Sequence, residues 1–175
     1  MRVIGGEYRS RRIKGIRGMA TRPTPDRLRE TLFDILAPRI GGTVFLDAYA
    51  GTGAVGIEAL SRGARHAVFL ERSRAAVAVL RENLAALDAA RRATVVHGAV
   101  LPHLNTHAAD IVFLDPPYDQ EREYGAALAL LAEAPPALVI VQHSIRFDPG
   151  ETGPLRRTRL LKQGDNALSF YQPAL

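Results

Sequence analysis

The sequence predicts an α/β protein: a mostly parallel sheet with helices on both faces and an antiparallel hairpin at one edge. Three observations carry this. Short, nearly continuous apolar runs alternate with longer segments of helical period, the pattern of strands buried on both faces. A glycine-rich turn joins the first run to the helical segment after it. The last two runs are separated only by Gln163-Gly164-Asp165-Asn166, too few residues for a crossover, so they must pair antiparallel.

Taken in order, residues 2–4 and 8–13 flank the turn signal Gly5-Gly6 and predict a short basic β-hairpin. A loop containing Gly15, Gly18 and Pro23 follows. Thr24-Pro25 reads as an N-cap with proline in the first helical turn. Leu28, Leu32, Ile35 and Leu36 then share one helical face, and Pro38 with Gly41-Gly42 ends that helix. Strands are expected over 43–47, 66–71, 93–97, 110–114 and 137–142, with helices over 54–61, 74–87 and 121–132. Residues 155–161 and 167–171 form the closing hairpin. The chain reads as one domain over 1–175, with 1–20 as a basic N-terminal hairpin extension.

Composition narrows the possibilities. The 175 residues are 47% hydrophobic, enough for one well-formed core. With no cysteine, disulfides, thiolate metal sites and cysteine nucleophiles are excluded. The start, MRVIGGEYRSRR, has no apolar signal region, and no run is long enough to span a bilayer, so a soluble cytoplasmic protein is expected. The net charge of +5 is unevenly placed: residues 1–30 hold nine Arg/Lys against three acids, leaving the remainder at −1. Such a segment (Arg2, Arg9, Arg11, Arg12, Lys14, Arg22) suits a phosphate backbone, although a solvated basic arm without a partner has the same composition.

Three acids fall at the carboxyl ends of three strands, where open α/β sheets bind ligands: Asp47, Glu71 and Asp115. The first opens Asp47-Ala48-Tyr49-Ala50-Gly51-Thr52-Gly53, whose glycines permit a sharp turn and close approach of a ligand. Gly51-x-Gly53-x-x-Gly56 also matches the dinucleotide fingerprint. A carboxylate four residues before the glycines would repel a pyrophosphate but help hold a cationic amine, which favours S-adenosylmethionine over a dinucleotide. Glu71, 20 residues beyond Gly51, is placed to accept ribose hydroxyls of either. Asp115-Pro116-Pro117-Tyr118 follows the fourth strand. An exocyclic amine on a base is a poor nucleophile because its lone pair is delocalised. Asp115 and the Pro116 carbonyl offer acceptors for its two N–H groups, the prolines stiffen the loop, and Tyr118 offers a ring on which an extruded base can stack. His103 and His107 lack a zinc-site context, and no metal is expected. Ser61 and Ser144 lack a nucleophile elbow, and His143, which follows the fifth strand, reads as a surface histidine in preference to one lining the site.

These segments together resemble the RsmD family, bacterial methyltransferases that modify a guanine N2 in small-subunit ribosomal RNA. The resemblance rests on RVIGGEYRSRRI, RPTPDRLRETLFDIL, FLDAYAGTGAVGIEALSRGA, VFLER, IVFLDPPY and QGDNALSFYQ, in the family's order over nearly the whole chain. It implies a class I S-adenosylmethionine-dependent methyltransferase (Rossmann-like) sheet with a final antiparallel strand. It implies that Asp47, Ala48, Gly51, Thr52 and Gly53 hold the methionyl end of the cofactor and Glu71 with Arg72 its ribose. Arg22, Thr24 and Arg27 match the segment beside the cofactor pocket, the N-terminal hairpin matches the RNA-contacting element, and Asp115 to Tyr118 match the amine-binding loop. In one departure, relatives place Asn or Asp before an alanine after the third strand; here the segment is His97-Gly98-Ala99, leaving the backbone of Gly98 and Ala99 to meet the adenine. The implied substrate is 16S rRNA or a small-subunit particle, and the implied enzyme a monomer. Two alternatives stand beside it: an enzyme acting on DNA adenine N6 or another amino group, and a non-catalytic RNA-binding assembly factor.

Overall fold

Strands whose side chains are apolar on both faces need cover on both sides, and this chain supplies it from helices lying between the strands. The computed structural model describes residues 1–17 and 24–175. Among these, α1 (Asp26–Leu36) precedes β1 (Val44–Ala48), α2 (Ala54–Ser61), β2 (His66–Glu71), α3 (Arg74–Ala86) and β3 (Ala93–His97). Then come β4 (Ile111–Leu114), α4 (Glu121–Glu133), β5 (Leu138–Ser144), β6 (Leu155–Gln163) and β7 (Asn166–Pro173). The seven strands form one sheet in the order β3-β2-β1-β4-β5-β7-β6. β1 to β5 are parallel, and the β6–β7 hairpin adds antiparallel to β5 at one edge. The chain order reverses between β1 and β4, which opens a crevice at their carboxyl ends.

Alternation along the strands sorts the core. Phe45, Ile111, Phe113, Ile140 and Phe170 face α1 and α2, while Leu46, Val68, Leu114, Val139 and Val141 face α4. A third cluster joins Val3, Tyr8 and Ile13 of the N-terminal arm to Ile57, Phe69, Leu80 and Leu84. The expected helices on both faces are therefore present.

Several local expectations need correction. The N-terminal segment is closed by a single antiparallel bridge, Arg2 with Arg12, rather than by paired strands, and residues 18–20 of the predicted extension lie outside the described residues. Its backbone bonds across itself, with the Val3 N–H donating to the Arg11 carbonyl at 2.9 Å and the Ile13 N–H to the Met1 carbonyl at 2.8 Å, and also to α2: the Ile4 and Gly5 N–H groups each donate to buried Glu58 at 2.9 Å, and the Tyr8 N–H donates to Ser61 Oγ at 2.9 Å. Thr24 does not cap α1. Pro25 holds the cap position, and the buried Thr24 hydroxyl donates to Gln142 Oε1 of β5 at 3.0 Å. Arg29, counted with the basic excess, is fully buried; it donates to the Arg2 carbonyl at 2.6 Å and lies 3.6 Å from Glu58. His143 is 3% exposed, not a surface residue: its Nδ1–H donates to the Ser144 carbonyl and Nε2 accepts from Ser169 Oγ. Burial pushes its pKa down, favouring that neutral form.

Candidate active site

The crevice between β1 and β4 is built from strand ends. Asp47 is paired in register with Phe113, and Ala48 with Leu114, so the loop after β1 and the loop after β4 leave the sheet side by side. Asp47 is almost wholly buried, and its Oδ2 accepts the Gly56 N–H of α2 at 2.9 Å. Burial, then the charge of Glu71, pushes its carboxyl up to about 7. Asp115 continues β4; burial, then Asp47, pushes it up to about 8. Two carboxyl groups near each other, each short of hydration, form a site that a cation would stabilise.

The glycine-rich turn is fixed by polar contacts to its backbone. The Gly51 N–H donates to Glu71 Oε1 at 2.7 Å, and Glu71 Oε2 accepts the Ser73 N–H at 2.6 Å, so this one side chain ties the turn to the start of α3. Each of its oxygens retains a second lone pair for a ligand hydroxyl. Gly51 has φ +59°, and a Cβ there would meet open space; Gly53 has φ +94°, and a Cβ there would lie 2.3 Å from Leu80 Cδ1. Gly51 thus leaves room on the ligand side, whereas Gly53 allows the turn to pack on α3. Ala48 is fully buried and Thr52 half-buried, and the Thr52 carbonyl accepts from Asn83 Nδ2 at 2.9 Å. At the end of β3 the Gly98 N–H donates to the Glu71 carbonyl at 3.0 Å, which places Gly98 and exposed Ala99 beside the carboxyl end of β2. Arg72 is exposed, its carbonyl engaged by His97 Nε2 at 3.1 Å. Open space at Gly51, unneutralised acids at Asp47 and Asp115, and an acceptor at Glu71 together fit a cationic nucleoside cofactor.

The Asp115–Tyr118 loop holds contacts that the sequence does not reveal. The Tyr124 hydroxyl, buried on α4, donates to the Pro116 carbonyl at 3.2 Å. The Tyr49 hydroxyl donates to Glu123 Oε1 at 2.7 Å and ties the loop after β1 to α4. Tyr49 has φ +63°, a left-handed backbone that a bulky residue adopts only when its surroundings enforce it. The Tyr118 hydroxyl donates to Asn166 Oδ1 at the start of β7, and its ring is 39% exposed. A cavity of about 490 Å³ opens beside it, lined by Tyr118 to Glu123. Tyr124 and Tyr49 carry no sequence signal beyond their place near the motifs.

The basic arm packs against α2 and α3. Arg2, Arg9, Arg11, Arg12 and Lys14 are all exposed, and Arg22 lies outside the described residues. Arg2 donates to the Ser10 carbonyl at 2.7 Å, Arg11 to the Ala86 carbonyl at 2.8 Å, and Lys14 pairs with Glu82 at 3.2 Å. No helix among the described residues is long and apolar enough to cross a membrane.

Comparison with known proteins agrees with this layout. The profile of the family described as Conserved hypothetical protein 95 matches residues 1–172. The Bacillus subtilis protein YlbH is 34% identical over 98% of both chains. Ribosomal RNA small subunit methyltransferase D of Escherichia coli K12 is 44% identical over 67% of this chain and 60% of its own. The solved structure of Escherichia coli yhhF superposes with a TM-score of 0.85 at 37% identity, covering 99% of this chain and 98% of that one. The sheet is thus that of a class I methyltransferase fold, and the chain belongs to the Conserved hypothetical protein 95 family, the RsmD family.

Proposed function

We propose that this protein is an S-adenosylmethionine-dependent methyltransferase that modifies the N2 amine of a guanine in small-subunit (16S) ribosomal RNA. The observation that carries the reading is the juxtaposition of Asp47 and Asp115, two carboxyls pushed up to about 7 and about 8, at the mouth of the β1–β4 crevice. The whole chain acts as one domain and one monomer, with residues 1–20 as its basic extension.

S-adenosylmethionine, when bound, supplies an electrophilic methyl group. Asp47 and the backbone of Ala48, Gly51, Thr52 and Gly53 hold its methionyl end. Glu71 and Arg72 meet the ribose, Gly98 and Ala99 the adenine, and Thr24 flanks the pocket. The Asp115 carboxylate and the Pro116 carbonyl accept the two amine N–H groups and turn the lone pair toward the crevice. Tyr124 keeps the Pro116 carbonyl aimed, and Pro117 stiffens the loop. Tyr118 stacks on the extruded base. Burial holds the ligand-free Asp115 carboxyl at about 8; the positive charge of a bound cofactor would favour its ionised form, and the resulting carboxylate, a stronger base than an ordinary aspartate, takes the proton that the amine sheds. Arg2, Arg9, Arg11, Arg12, Lys14 and Arg22 meet RNA phosphates and set register without reading sequence.

The test is Asp115→Ala, assayed with labelled S-adenosylmethionine and small-subunit rRNA transcribed in vitro. Turnover is expected to fall by about 10²–10³, with S-adenosylhomocysteine affinity within about two-fold of wild type. A normal rate would refute the mechanism. Methyl transfer to DNA adenine but not to rRNA would replace the substrate.

A further inference from the structure

We propose that Asn83 is a positioning residue that couples RNA docking on the N-terminal arm to the conformation of the glycine-rich cofactor turn. The proposal rests on the reading of residues 2–14 as the RNA-contacting arm. Asn83 lies on α3 with 3% of its surface exposed. Asparagine is a poor helix former compared with alanine or leucine, so its place here needs a tertiary cause. The cause is visible in its hydrogen bonds. Oδ1 accepts the Lys14 N–H at 2.8 Å, and Nδ2 donates to the Lys14 carbonyl at 3.1 Å and to the Thr52 carbonyl at 2.9 Å. One amide therefore grips the arm through both backbone groups of a single residue and grips the cofactor turn as well.

Both partners sit where movement matters. Thr52 lies between Gly51, whose N–H is held by Glu71, and Gly53, whose φ of +94° fixes the turn. Lys14 follows Arg9, Arg11 and Arg12 in the arm, and its ammonium group rests on Glu82 of the same helix as Asn83. The far end of the arm is clamped on α2 by Glu58 and Ser61, so a load on the basic side chains is passed along backbone that is fixed at both ends. Phosphates that engage Lys14 and Arg11 thus act one side chain away from the Thr52 carbonyl. Binding of RNA and of cofactor should then be linked reciprocally, each tightening the other by the same factor.

The experiment measures S-adenosylhomocysteine affinity by calorimetry, with and without saturating small-subunit rRNA transcribed in vitro. It compares wild type with Asn83→Asp, which keeps the acceptor for Lys14 and loses both donors. In wild type, RNA is expected to tighten S-adenosylhomocysteine binding by about five-fold or more. In Asn83→Asp that ratio is expected to fall to about one, whatever the affinity without RNA. Amide exchange supplies a second readout: RNA should slow exchange at Gly51 to Gly53 in wild type and not in the variant, a difference that a general loss of stability would not produce. A wild-type ratio of one, or an undiminished ratio in Asn83→Asp, overturns the coupling while leaving the arm's role intact. A wild-type protein that binds no RNA overturns the arm reading itself, and the coupling with it.

Discussion

Replacing Asp115 by Asn should stabilise the protein against heat, and by more as the pH rises. In the unfolded chain this carboxyl titrates at its ordinary value of 3.8; in the folded protein burial and Asp47 push it up to about 8. Between these values the folded state holds a proton that the unfolded state has released. The contribution of Asp115 is therefore fully present below about pH 4 and declines as pH rises to about 8, where the folded group also ionises. Asparagine keeps the shape and never carries the charge. Raising a carboxyl's pKa by one disfavours its charged form by about 1.4 kcal/mol, so the rise from 3.8 to about 8 sets a ceiling of about 6 kcal/mol. Water that still reaches the half-buried carboxyl, and proton sharing with Asp47, reduce this to about 1–3 kcal/mol. For a chain of this size that is a Tm gain of about 3–8 °C at pH 9, with a clearly smaller gain at pH 5. Calorimetric scans of both proteins from pH 5 to pH 9 provide the measurement. A gain that does not vary with pH, or a variant less stable than wild type at pH 9, would show that Asp115 is not strained by its charge.

The other predictions concern the supports of the site. Gly51→Ala should cost only about 1–2 kcal/mol, the left-handed backbone penalty, while weakening S-adenosylhomocysteine binding at least about ten-fold by placing a methyl in the open space. Gly53→Ala should cost about 2–4 kcal/mol, because its Cβ also collides with Leu80. Urea titration and calorimetry separate the two, and equal stability losses would contradict the assignment. Tyr124→Phe should cost about 0.5–1.5 kcal/mol and slow turnover several-fold with cofactor affinity unchanged; an unaltered rate would remove Tyr124 from the aiming of Pro116. Glu58→Ala leaves Arg29 buried beside no carboxylate on α2 and should cost about 3–5 kcal/mol, with faster amide exchange at Ile4 and Gly5. A loss under about 1 kcal/mol would mean that Glu58 is not what holds the arm in place.

The sheet was legible because its strands are apolar on both faces. The runs expected at 66–71 and 93–97 coincide with β2 and β3, and the parallel order with its closing hairpin follows from what lies between the strands. The three strand-end acids were legible for the same reason, since a charge that ends a buried strand stands out. Side chains whose role is fixed by a distant partner were not. The Thr24 hydroxyl looks like a cap until Gln142, 118 positions later, takes its hydrogen bond. Arg29 counts with the basic excess in the sequence, and only the docking of the arm over it and Glu58 makes their burial comprehensible. Asn83 and Tyr124 sit within helical periods that specify a face, not a hydrogen-bond partner. Arm residues 2–13 carry a turn signal without the alternating apolar pattern that sustains a ladder, which is consistent with one bridge in place of paired strands.

The most direct test of the account is nucleoside mass spectrometry of small-subunit ribosomal RNA from a strain lacking this protein, before and after incubation with the purified protein and S-adenosylmethionine. The account predicts that one N2-methylguanosine is missing from the deletion strain and returns on incubation. An unchanged modification profile would contradict it and turn the same crevice toward another amine, with DNA adenine the next substrate to assay.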